Sequence, residues 1–182
     1  DASGMAIGTG FNITNAPGSQ RFPSIDMANT TSSSAYVVSW TNQNSDQIRA
    51  QQRTLGAGGG ATFQVNPTQF IQGPSNVSIN ENGDFTIVWI RSTNESDLFG
   101  GRFKNTGTNT HSVVSSFSLT SPGLHPIVNV SEEADEYLVV SKQTGRGTMN
   151  LGLDVSGFKI PDTTPPTRTS ISPEHNAPEV AV

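Results

Sequence analysis

Apolar and polar residues alternate in short runs along most of this chain, and three runs share one form, an aromatic followed by alternating apolar positions. They are Tyr36-Val37-Val38-Ser39-Trp40, Phe85-Thr86-Ile87-Val88-Trp89 and Tyr137-Leu138-Val139-Val140-Ser141. The aromatics at 36, 85 and 137 lie 49 and 52 residues apart, a spacing at which self-similarity signals a repeat architecture. Upstream of each stands a proline leading a short apolar stretch: Pro23-Ser24-Ile25, Pro74 running to Val77 and Ile79, and Pro126-Ile127-Val128. Downstream come apolar segments from Ile48 to Arg53, Leu98 to Phe103 and Met149 to Leu153, each followed by a glycine turn at Gly56, Gly107 and Gly157. A fourth segment has the form aromatic-x-aliphatic, at Phe11-Asn12-Ile13, Phe63-Gln64-Val65 and Phe117-Ser118-Leu119. Four period-2 segments per unit, separated by Asn, Gly, Ser and Pro, predict four short antiparallel strands.

The chain is therefore expected to be all-β, with three four-stranded antiparallel repeat units arranged as propeller-like blades. Along the chain the segments run fourth, first, second, third. In a ring of blades that offset lets the N-terminal strand complete the last blade. Asp154-Val155-Ser156-Gly157 repeats Asp1-Ala2-Ser3-Gly4 and is followed by Phe158-Lys159-Ile160, so two segments compete for one slot. Either the strand around Phe11 closes its own chain, or the strand around Phe158 does, leaving Phe11-Asn12-Ile13 as an assembly strand for a neighbouring subunit. Propellers need about four to eight blades, so three units imply two chains in one ring, a piece of a longer array, or a β-trefoil or β-prism instead.

Composition narrows the class. With 182 residues, 32% of them hydrophobic, the chain can build one domain with a modest core. The repeat domain is expected over residues 1–160, and from Pro161 a Pro/Thr-rich tail or linker over 161–182, which holds five of the eleven prolines. No apolar run approaches the roughly 20 residues of a membrane-spanning helix. The net charge of −5, with scattered Lys and Arg, argues against a nucleic-acid surface. There is no cysteine, which excludes disulfides and thiolate metal sites. The Asn/Ser/Thr/Gly-rich, Lys-poor composition favours an extracellular or cell-surface setting. Five sequons, at Asn12, Asn29, Asn76, Asn94 and Asn129, are candidate glycosylation sites, in a composition that would generate several by chance.

Reactive chemistry is sparse. His111, His125 and His175 lack a paired metal spacing and are expected in exposed loops. Acidic clusters at Asn80-Glu81-Asn82-Gly83-Asp84, Asn94-Glu95-Ser96-Asp97 and Glu132-Glu133-Ala134-Asp135-Glu136 hold oxygens that calcium would accept. No EF-hand spacing is present, however, and Asn-Gly-Asp before a strand is what a tight hairpin requires. Arg49, Arg53, Arg91 and Arg102 would have to converge with a tyrosine to make a sialidase-type site, yet Tyr36 and Tyr137 occupy repeat positions that Phe85 fills equally well. The Gly56 to Gly60 run has no Lys-Ser/Thr after it and is a flexible connection. Trp40 and Trp89, at the end of apolar strands, are expected in the core, although exposed they would offer stacking faces for a sugar.

The Pro-x-Ile lead, the Tyr-Val-Val-Ser-Trp strand, Ile48-Arg49-Ala50-Gln51 and Phe63-Gln64-Val65-Asn66 resemble the roughly 50-residue repeats of large secreted adhesin-like surface proteins of marine bacteria and ciliates. The similarity covers about residues 1–160 and is best in the first unit; the third has Ser141 in place of the tryptophan. It implies propeller-like or extended surface arrays acting in adhesion. The expected function is accordingly a non-enzymatic extracellular structural or adhesion subunit that assembles with its own kind or neighbouring repeat subunits through strand and tail exchange. No catalytic residue, cofactor or metal is assigned, calcium being the one ion the acidic loops invite. A lectin-like carbohydrate-binding module is the alternative, and a sialidase- or glycosidase-like propeller the third reading.

Overall fold

The computed structural model describes residues 11–29, 34–54, 59–66, 72–92, 96–107, 109–130, 136–143, 153–159 and 167–169. The chain is all-β, and no helix occurs among these residues. Strands β1 (Gln20–Asn29), β2 (Ser34–Asn42), β3 (Gln47–Thr54) and β4 (Phe63–Gln64) form an antiparallel sheet in chain order. A second antiparallel ribbon takes in β5 (Gln72–Ile79), β6 (Phe85–Ser92), β7 (Ser96–Gly107), β8 (Thr110–Val130), β9 (Glu136–Gln143), β10 (Leu153–Lys159) and β11 (Thr167–Thr169), again between chain neighbours. Neither closes on itself.

Strand β8 divides the ribbon. Over 21 residues it pairs with β7 as far as Pro122, and with β9 from Gly123 to Val130. Three antiparallel arrays result: β1 to β4, then β5 to the first half of β8, then the second half of β8 to β11.

Each array opens with a hairpin in the same register. Met27 stands opposite Tyr36, Ile79 opposite Phe85, and Val130 opposite Tyr137. Three pairs further on in β1 and β8, and four in β5, each first strand carries a bulge in which two residues oppose one, between Arg21 and Ser24, Gln72 and Ser75, and Leu124 and Ile127. Inside these bulges lie Pro23, Pro74 and Pro126, which lack the N–H that a regular ladder position would need. The preceding residues Phe22 and His125 take φ of 53° and 52°, a left-handed backbone uncommon outside glycine.

Side chains alternate between the two faces of a strand, so the arrays pack face on face. Ala35, Val37, Ile48 and Ala50 of the first array meet Val77, Ile79, Phe85, Ile87, Trp89 and Phe103 of the second in one core. The opposite face of the second array, Val88, Ile90 and Leu98, meets Val128, Tyr137 and Val139 of the third in another. The second array is thus covered on both sides, which explains why every residue from Phe85 to Ile90 is buried. The Phe85 and Phe103 rings stack at 4.9 Å, with Phe63 reaching over from β4 at 5.4 Å from Phe103.

The backbone fits this packing at close quarters. A Cβ at Gly100 would overlap the Phe117 ring, which stacks on Tyr137 at 5.0 Å in the second core. Gly83 has φ of 82° in the β5–β6 turn, where its N–H donates to the Asn80 carbonyl at 2.9 Å.

Several expectations need correction. The third strand of the last array is Leu153–Lys159 rather than Met149 to Leu153, and Gly157 lies inside it, opposite Leu138, rather than in a turn. Phe158 faces Tyr137 in that third-strand slot, while the fourth place goes to Thr167–Thr169, within the proline-rich tail. Phe11, Asn12 and Ile13 lie in no strand. β10 extends the hydrogen-bonded edge of β9 over seven pairs, from Leu153 opposite Lys142 to Lys159 opposite Glu136.

Removing a core aromatic costs about 3–5 kcal/mol. Phe85→Ala is expected to lower the unfolding free energy by that amount in urea titration, and Tyr36→Ala, in the same register position on a half-open face, by distinctly less. Equal losses would contradict the burial described for the two.

Candidate functional site

The feature that joins the arrays is a seam of three first strands, β1, β5 and the second half of β8. Each is the first strand of its array, so alternate N–H groups point away from the neighbour in its own sheet. Polar side chains of the preceding array take them up. The Val77 N–H donates to Ser24 Oγ at 3.3 Å and that of Ile79 to Asp26 Oδ2 at 3.0 Å. One array further, the Val128 N–H donates to Asn76 Oδ1 at 2.9 Å and that of Val130 to Ser78 Oγ at 3.2 Å. Asn76 links all three strands, because its Nδ2 also donates to Ser24 Oγ at 3.2 Å.

The seam has two open ends. On β1 the side chains of Ile25 and Met27 are 65% and 58% exposed, although their counterparts Val77 and Ile79 are buried. The Met27 N–H is taken instead by the carboxylate of its neighbour Asp26 at 2.9 Å. On the third array the outward residues are Ile127, 59% exposed, Leu138, 42% exposed, and Asn129.

A second cluster surrounds His111. Expected in an exposed loop, it lies in β8 opposite Asn105, with its ring 3.8 Å from that of Phe63 and edge-on to Phe85 and Phe103. Its Nδ1 is buried without a hydrogen-bond partner, and burial lowers the imidazole pKa. Burial likewise pushes the Tyr137 phenol far above its usual range, an effect that nearby Arg102 offsets in part.

The residues singled out from the sequence are spread over the molecule. Asn12 is exposed and donates to Asn15; Asn29 ends β1; Asn129 is exposed; Asn94 lies outside the described residues. Asn76 sits in the seam with both amide atoms engaged. Phe11 is exposed, with the Arg53 guanidinium 4.4 Å over its ring. The cluster around Asp84 is a hairpin turn, in which Asn80 Oδ1 accepts from the N–H groups of Asn82 and Asp84 and Asp84 Oδ1 accepts from that of Asn105. Asp97 pairs with Arg91 at 2.7 Å, and Asp135 lies outside the described residues. No group of three or more His, Asp or Glu side chains converges among the described residues.

Arg49 and Arg53 lie on the outer face of the first array, opposite Trp40 and Tyr36. Arg91 shares the face of Trp89, and Arg102 lies on the other side of the same array. The four do not meet. Trp40 and Trp89 are each 4% exposed, so neither ring offers a stacking face. The seam was missed in the sequence, where its only trace is a polar residue before each of Ile25, Met27, Val77, Ile79 and Val130.

No family model, curated protein or solved structure matches the chain.

Two outcomes test these sites. Asn76→Ala strands the buried Val128 N–H, and is expected to cost about 1–3 kcal/mol in urea unfolding, whereas Asn12→Ala leaves stability unchanged. For His111 the folded pKa lies below the unfolded one, so the unfolded chain binds the proton more readily. Its contribution to stability is then complete above the ordinary imidazole value near 6.5 and is lost as pH falls below it. The urea midpoint is expected to fall from pH 7 to pH 5, and His111→Phe to flatten that dependence.

Proposed function

We propose that this protein is a non-enzymatic structural or adhesion subunit, extracellular or on a cell surface, whose arrays are propeller-like blades and which assembles with further copies. The observation that carries this reading is the direction of the seam. Each array accepts the next through the same pair of polar positions, and neither the first nor the last has its partner within the described chain. Stacks built this way are extended by adding units, and their ends need capping or company to stay soluble. The exposed apolar side chains at both ends, Ile25 and Met27 on one and Ile127 and Leu138 on the other, favour company over capping.

The chemistry found at the surface agrees with a scaffold role. His111 and Tyr137 have shifted pKa values, yet they sit in different aromatic cores and share no cleft. Their shifts follow from packing rather than from a reactive constellation. The extracellular setting rests on composition alone, Asn-, Ser- and Thr-rich with few lysines.

Sedimentation of the full chain over a wide concentration range tests the assembly. A mass of two or more chains is expected, and a monomer at every concentration would end this reading.

A further inference from the structure

We infer that the outer face of the third array receives the outer face of the first array of a second copy, head to tail, and repeats the junction found twice inside the chain. The inference rests on the self-assembly reading above and specifies its geometry.

The hairpin registers set the correspondence. Ile25 lies opposite Val38, Val77 opposite Ile87, and Val128 opposite Val139. Two pairs further along come Met27, Ile79 and Val130 opposite their aromatics. In the second and third arrays these positions form the rear face, and both times they are packed on the array before. In the first array the same positions are Ile25 and Met27, open to solvent, beside Val38 and Trp40, which are already buried.

The front face follows the same rule. Ser24 and Asp26 in the first array correspond to Asn76 and Ser78 in the second, and all four accept N–H groups from the array after. In the third array these positions are Ile127 and Asn129, both exposed. The chain thus ends in a rear face open along β1 and a front face open along the second half of β8, the two halves of one kind of joint.

The terminal joint differs in one respect that suits contact between copies. Where the internal joints use two polar acceptors, the outer one keeps Asn129, in the position that Asp26 and Ser78 hold inside the chain, and replaces the other with Ile127, which would meet Ile25. Leu138, opposite Asn129, adds to the apolar area on the front. Like faces do not match. Rear on rear sets Ile25 and Met27 against themselves and leaves Asn129 unused, so the contact is heterologous. Two copies joined at both ends make a closed ring of six arrays, within the range of propellers; the same joint left unclosed gives a filament.

The absence of cysteine makes the test clean. Ile25→Cys and Ile127→Cys variants of the full chain are mixed under mild oxidation, with Val113→Cys, on another exposed strand position, as control. An effective concentration set by the joint should make the unlike pair, Ile25→Cys with Ile127→Cys, cross-link about tenfold or more faster than any like pair or any pair with Val113→Cys. Dimer rings and longer chains of cross-links both support the head-to-tail joint. If the wild-type protein is an oligomer but like pairs react fastest, or all pairs react equally, the joint is wrong while assembly stands. If it is a monomer, assembly itself fails. A third measurement keeps the result independent of the thiols: Ile127→Glu places a charge in the joint, and should dissociate the oligomer without shifting the urea midpoint of the subunit.

Discussion

The N–H groups on the free edges of β5 and of the second half of β8 set the terms for the whole structure. A buried backbone donor left unpaired costs as much as a lost hydrogen bond or more. Two sheets packed by apolar contact alone would leave these donors facing hydrocarbon. Ser24, Asp26, Asn76 and Ser78 resolve the conflict by placing an acceptor one position before each apolar residue of the seam. Apolar side chains then fill the cores on either side, while the polar ones in between hold the strands in register.

The asymmetry of this joint has consequences for packing. In the four seam bonds the side-chain acceptor belongs to the earlier array and the backbone donor to the later one, so the seam has one direction. The middle array is buried on both faces, and its strand β6 is apolar almost throughout. The outer two carry the large exposed apolar side chains of the seam ends, although Val38 and Trp40 on the outer face of the first array are themselves buried. For the rear positions Ile25 and Met27, Val77 and Ile79, and Val128 and Val130, that gradient follows from position in the stack, since these residues are alike in character and differ in whether another array covers them.

Irregular features serve the same geometry. The proline bulges bend the first strands where a ladder donor is absent, and they recur in all three hairpins, at the same register position in β1 and β8 and one pair further along in β5. The Asn80 turn and Gly83 close the β5–β6 hairpin, and Asp84 in turn anchors β7 through the Asn105 N–H. His111 completes the aromatic cluster of the first core from β8, a strand whose other end belongs to the next array. Through β8 the two cores are mechanically one piece.

Strand content, the period-2 patterns, the aromatic positions and the prolines that lead each hairpin were legible in the sequence, because alternation and missing donors are local properties of a chain. Phe85 and Trp89 could be assigned to a core on pattern alone. Which strands pair was legible only where a short turn forces it. The last array was misread, since the pairing of Leu153–Lys159 with β9 across the intervening residues is set by the edge that β9 presents, which exists only in three dimensions. His111 looked like a loop residue, as nothing local shows that Phe63, Phe85 and Phe103 converge on it. Likewise Ser24, Asp26, Asn76 and Ser78 are ordinary strand polars until a neighbouring array presents its N–H groups some 50 residues away in the chain. Local pattern therefore determined what each segment is, and tertiary structure decided what each face meets, because only packing brings one array's acceptors to the next array's donors.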